Sequence, residues 1–196
     1  MGLKRQAKVI NSAMELSVLK HLEGSKHPVH YRARFLLSIK AGLRAKEIAS
    51  LTWSMVTNPQ GYIGDEINLV DDASKGNGGR VIPINKDLMV ALIALQAERG
   101  DKAWPNSPVI HSERGLRMTP HTLSIWFNKL YKRLGLQGCT SHSGRRTFGT
   151  RAAKAIIAAG GSLRDVQQLL GHSSLAVTQR YIEGSESAKQ NVVNMI

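Results

Sequence analysis

The sequence predicts an α+β fold, mainly α-helical with one small antiparallel β-sheet. Three observations predict it. Apolar residues recur at the spacing of an amphipathic helix through most of the chain. Between Trp53 and about Asn85 that period gives way to two short strand-like runs around the polar, glycine-rich stretch DDASKGNGG. Apolar residues make up 42% of the chain, enough for a core, and with three Phe, three Trp and four Tyr most of that core must be aliphatic.

In chain order, NSAMELSVLKHLEGS reads as a short helix ending near Gly24. Pro28 opens a second helix, since the N–H that proline lacks is unused in the first turn. Phe35, Leu36 and Ile39 form its apolar face, and Gly42 stops it. RAKEIASLTW is a third helix, with Ile48 and Leu51 on its apolar side and Arg44 and Glu47 sharing another face. GYIGDEINLV and GRVIPIN are the strands of a hairpin with a flexible tip, and Pro83, lacking a ladder donor, places its strand at an edge. Leu88, Ala91, Leu92 and Leu95 mark the next helix. Thr119 caps the one that begins at Pro120. TSHSGRRTFGTRAAKAIIAAGG reads as a long helix running to its glycine pair. In SLRDVQQLLG, Ser162 and Asp165 form a capping-box start and Gly171 is the stop. A last helix contains Tyr181.

A length of 196 residues suits one domain, with a short appendage at most. The single cysteine, Cys139, excludes an internal disulfide and fits a reducing compartment. No run approaches the roughly 18 apolar residues of a membrane span, and the N-terminus lacks the apolar stretch of a signal peptide. The expectation is a soluble, cytoplasmic protein with no membrane partner. Lys and Arg number 27 against 14 acids, a net charge of +13 spread along the chain, which favours a polyanion, nucleic acid first. His21, His27 and His30 are close in sequence but bring no second type of ligand, so no metal site is expected.

Several residues carry chemistry, each with a plainer alternative. His142 and Arg145 stand one turn apart at a helix start, where free backbone N–H groups favour an anion; a solvated basic turn would look the same. Arg44 and Glu47 could be a surface ion pair. Lys75, on the hairpin tip, could be a solvated loop lysine, and His172 could simply meet the preceding helix end. Tyr181, nine residues after His172, is either a packing residue or a nucleophile.

Their order decides between these. GLRAKE, SKGNGGRVIPI, HSGRR, LLGHSS and then Tyr181 together resemble the catalytic domain of the tyrosine recombinases, the phage-integrase family. Arg44, Lys75, His142, Arg145, His172 and Tyr181 occupy that family's six catalytic positions, and Glu47 its acidic position after the first arginine. The resemblance covers roughly residues 12 to 185, leaving 1–11 as an N-terminal extension and 186–196 as a tail exchanged between protomers. It departs from the family at Ser143 and Gly144, where Asp-Leu is frequent, and at Arg146, where a histidine is common. With only about eleven residues before the domain, the chain looks like a catalytic-domain-only member.

The resemblance implies a site-specific DNA recombinase that cleaves and rejoins DNA through a 3′-phosphotyrosyl intermediate, by integration, excision or inversion. Arg44 and Arg145 would grip the non-bridging phosphate oxygens, with His172 donating a further hydrogen bond. Such donors contribute of order 3 kcal/mol each. Tyr181 would attack, His142 accept its proton and Lys75 protonate the departing 5′ oxygen, while Glu47 orients Arg44. No cofactor is needed. The implied partners are double-stranded DNA, further copies of the chain on that DNA (dimer to tetramer) and an accessory DNA-bending protein, in a bacterial or phage-encoded, nucleoid-associated setting. Two other readings stay open, a non-catalytic DNA-binding regulator and a type IB topoisomerase-like relaxing enzyme.

Overall fold

The computed structural model describes residues 6–70 and 79–181. Lys75 and the tail at 186–196 lie outside the described residues. The helices are α1 (Ser12–Glu23), α2 (Pro28–Ile39), α3 (Ala45–Ser50), α4 (Lys86–Arg99), α5 (Pro120–Arg133), α6 (Ser143–Ala155), α7 (Leu163–Leu170) and α8 (Leu175–Gln179). Strands β1 (Glu66–Leu69) and β2 (Arg80–Pro83) pair antiparallel, Glu66 opposite Pro83 and Leu69 opposite Arg80. The expected class is the one observed. In a two-stranded sheet both strands are edges, which is why Pro83 is tolerated. Among the described residues no helix is long and apolar enough to cross a membrane.

α2 is the central pillar, packed against α1, α3, α4 and α6. Its residues from Ala33 to Ile39 are all buried, so it is covered on every side over its last two turns, more than the one apolar face expected. The rest of the core comes from Ile48 and Leu51 of the α3 region, Leu88, Leu92 and Leu95 of α4, and Leu123 and Phe127 of α5. The segment before α1 joins it: Ile10 is fully buried and its N–H donates to Thr147 Oγ1 (2.8 Å). Arg146 fastens the same segment through Nη1 to the Ala7 carbonyl (2.7 Å). The arginine that departs from the family pattern thus ties the chain start onto α6.

Two boundaries differ from expectation. α6 stops at Ala155 instead of reaching Gly160, and the Gly160 and Gly161 N–H groups close turns on Ile157 and Ile156 carbonyls. Side chains there are mostly exposed, so no packing rewards further helix. α8 ends at Gln179, which leaves Tyr181 in the turn beyond it, its N–H bonded to the Thr178 carbonyl (3.0 Å). Gly144, the other departure, is required by packing. A Cβ there would overlap Ser38 Oγ and lie 3.1 Å from the Ser38 carbonyl carbon, so α6 crosses α2 only over a glycine.

Candidate active site

Four elements bring the basic residues together. Gly42, at φ 65°, turns the chain out of α2 and aims its carbonyl at Arg145, whose Nη1 donates to it (2.7 Å). Arg44 follows as the N-cap of α3, and Glu47, one turn on, closes a capping box by accepting the Arg44 N–H (2.8 Å). His142 is the N-cap of α6, which puts Arg145 in its first turn. Gly171, at φ 57°, ends α7 in the left-handed conformation and presents His172.

The end of α7 is where three arginines meet. Its last carbonyls, which have no acceptor role left within the helix, receive Arg80 Nε at Leu169 (2.9 Å), Arg145 Nη2 at Leu170 and Arg44 Nη2 at Gly171 (3.2 Å). On their other side lies Glu47, fully buried. It takes Arg44 Nη1 at 2.7 Å and both Arg80 Nη groups at 2.9 Å, and lies 3.9 Å from Arg145. Three guanidiniums against one carboxylate leave the cluster positive, which is what a phosphodiester needs. Burial alone would push the Glu47 carboxyl up, but the Arg80 hydrogen bonds and charge, with Arg44, hold it at about 2. Burial, then the charge of Arg44, lowers Arg145 to about 10, still cationic at neutral pH.

His172 is half-buried. Burial first, and then Arg145, Arg44 and Arg80, lower it to about 4, so it is neutral at pH 7. Its Nδ1 lies 3.0 Å from Thr178 Oγ1 and its ring stacks on that of Tyr181, centroids 5.6 Å apart at 24°. Tyr181, His142, Arg145, Arg146 and Arg180 line one cleft of about 230 Å³. The structure therefore gathers Arg44, His142, Arg145, His172 and Tyr181 around the ends of α6 and α7. Lys75 lies outside the described residues.

Arg80 and Thr178 were not singled out from the sequence. For Arg80 a signal existed: in RVIP it alternates with Ile82 toward the interior while Val81 and Pro83 are exposed, and an inward arginine demands a buried partner. For Thr178 there was none, because its role arises only when α8 folds back on His172.

The Tyr181 ring rests on Gly149 of α6. A Cβ there would lie 2.7 Å from Tyr181 Cδ1 and Cε1 and 3.1 Å from Leu170 Cδ1. Gly149→Ala gains helix propensity but must displace the tyrosine. The protein is expected to stay folded in a thermal melt while any reaction at Tyr181 slows about 100-fold, the scale of a 1 Å misplacement.

The chain matches the family model described as the phage integrase family over residues 7–187. It is 27% identical over 202 residues to the tyrosine recombinase XerC of Rickettsia typhi, across 97% of this chain and 61% of the relative. To XerC of Rhizobium meliloti it is 32% identical over 154 residues, across 76% and 43%. The crystal structure of XerA recombinase superposes with a TM-score of 0.73 at 26% identity, across 97% of this chain and 65% of that one. A lambda integrase dimer bound to a COC′ core site shares the fold, with a TM-score of 0.70 at 21% identity over 93% of this chain and 49% of that one. The chain thus spans less than two thirds of these relatives' length. Every described helix and strand falls within the matched residues, and the chain belongs to the phage integrase family, the tyrosine recombinases.

Proposed function

We propose that this chain carries out the strand breakage and rejoining of a site-specific DNA recombinase. One observation carries the proposal: Tyr181 shares a cleft with His142 and Arg145 and stacks on His172 at the edge of the three arginines gathered on buried Glu47. Arg44 and Arg145 neutralise the scissile phosphate from positions fixed by Glu47 and the α7 carbonyls, so little reorganisation is needed as charge develops. His172 Nδ1 lies 3.0 Å from Thr178 Oγ1; in the tautomer in which the hydroxyl donates, the ring proton sits on Nε2, ready for a non-bridging oxygen. His142 takes the Tyr181 proton as the phenolic oxygen attacks phosphorus. The phosphotyrosyl bond forms as the 5′ oxygen leaves, and Lys75 supplies the proton to that oxygen. A 5′-hydroxyl from another strand reverses the step, so the bond is kept without a nucleotide cofactor.

The relatives include a lambda integrase dimer on a core site and XerH recombinase bound to difH substrate. Duplex DNA as substrate, and assembly of several copies on it, are proposed for this chain by the same reasoning. A nicked duplex of a verified target site tests the reading, since loss of the short 5′ fragment traps the intermediate. An SDS-resistant protein–DNA adduct is expected. No adduct sinks this reading together with the topoisomerase-like one and favours a binding-only protein; an adduct with relaxation at any sequence favours the topoisomerase-like one. Affinity for the duplex should fall steeply with salt, with a log–log slope of about −0.9 per phosphate neutralised, measured by anisotropy. A flat dependence would contradict a contact built on this chain's net charge of +13.

A further inference from the structure

A second cavity, of about 350 Å³, lies between α2 and α5 and shares no lining residue with the cleft of Tyr181. Arg34 of α2 lines it and is only 3% exposed. Its guanidinium sits 5.0 Å from the centroid of the Tyr31 ring and 4.6 Å from that of Trp126. Nη2 reaches His30 Nδ1 (3.3 Å) and the His111 carbonyl (3.4 Å). Nε is buried with no hydrogen-bond partner, and Nη1 donates to no described group. Nor does a carboxylate pair with Arg34 among the described residues.

A buried cation without a counter-charge is costly, and two aromatic faces recover only part of that cost. The three arginines around Glu47 show how this chain solves the problem elsewhere, with a fully buried carboxylate. At Arg34 no described residue supplies that charge, and a bound anion would. Around it, Lys129 and Thr122 of α5 and Ser112 supply further donors. The rim acids are exposed: Glu113 is already paired with Lys26 (3.2 Å) and His27 (3.7 Å), and Glu98 faces solvent.

We propose that this cavity is a phosphate-binding site, with Arg34 as its buried cation and Lys129, Thr122 and Ser112 as donors at its mouth. A volume of about 350 Å³ suits a small phosphate ester, and a backbone phosphate of bound DNA presents the same oxygens. Guanidinium suits either, being planar, permanently charged and weakly hydrated. The site stands independently of strand cleavage at Tyr181.

His30 and His111 make the test local, because their rings stack at 4.4 Å beside Arg34. Ring NMR of isotope-labelled protein follows them together with His142 and His172 while inorganic phosphate replaces chloride at constant ionic strength. Saturable shifts of His30 and His111 are expected with phosphate and not with chloride. They should vanish in Arg34→Met and weaken about fivefold in Lys129→Met, the scale of one lost exposed contact. Arg34→Met should also raise the thermal midpoint in phosphate-free buffer, since it deletes an uncompensated buried charge and keeps an apolar stem. Lys129 is exposed, so its substitution tests the site without touching the core. A short duplex that moves His30 and His111 identifies the source as DNA backbone; one that moves only His142 and His172, while phosphate moves the first pair, identifies a free ester. The proposal is overturned if neither phosphate nor duplex moves His30 and His111, or if Arg34→Met leaves their shifts unchanged. No outcome here bears on the adduct at Tyr181.

Discussion

Tyr181→Phe is expected to eliminate the covalent protein–DNA adduct while leaving duplex affinity within about twofold, the reach of a single exposed hydrogen bond. The substitution removes one oxygen and nothing else. The phenyl ring still stacks on His172 and still rests on Gly149, so the turn after α8 keeps its packing. In the proposed mechanism the phosphate contacts come from Arg44, Arg145 and His172, and losing the Tyr181 hydroxyl removes none of them. Turnover should therefore fall by at least about four orders of magnitude, the scale seen when a covalent nucleophile is deleted. Adduct yield on the nicked duplex and anisotropy on an intact one give the two readouts. Equal loss of both would mean that Tyr181 is a packing residue after all, and an adduct that persists would place the nucleophile elsewhere.

Glu47→Gln should cost both stability and activity, by about 3 kcal/mol in denaturant unfolding. Its carboxylate is the shared counter-charge of Arg44 and Arg80 and lies near Arg145, and all three guanidiniums must find other partners once the charge is gone. The effect has a pH signature. With the native carboxyl at about 2 against an ordinary 4.5, the unfolded chain takes up the proton first as pH falls. The Glu47 contribution is fully present above pH 4.5 and is lost between 4.5 and 2. Glu47→Gln should make the stability profile shallower in that window, where the loss from His30, held neutral down to about 2, continues. It should leave the earlier loss that begins below the ordinary imidazole value of 6.5, because His172 at about 4 and His30 at about 2 are kept neutral by the fold. Urea melts across this range separate the two. If the variant unfolds in parallel with the native protein down to pH 2, Glu47 does not carry this charge cluster.

Much of the helical frame was legible because several helices state their own boundaries. Thr119 caps α5 with its side chain, Ser162 and Asp165 form the capping box, and Gly171 takes the left-handed stop. Leu88, Ala91, Leu92 and Leu95, the apolar stripe read from spacing, are the buried residues of α4. The end of α6 was not legible. AAKAIIAAGG has the propensity to continue, but no neighbouring element covers it. Nor was the all-round burial of the last two turns of α2, since Arg34 and Ser38 interrupt its apolar pattern.

For the candidate site, sequence alone determined the identity and order of Arg44, His142, Arg145, His172 and Tyr181, since spacing along the chain is a one-dimensional property. What only the tertiary structure decided is how the positive charge is held. Arg80 lies 33 residues from Glu47 and 89 from Leu169, yet it hydrogen-bonds to both. Arg145 lies 103 residues from the Gly42 carbonyl it grips. No local pattern encodes such pairings. They form because a buried guanidinium must spend its donors, and among the described residues the packed ends of α2, α3 and α7 offer a carboxylate and four carbonyls within reach.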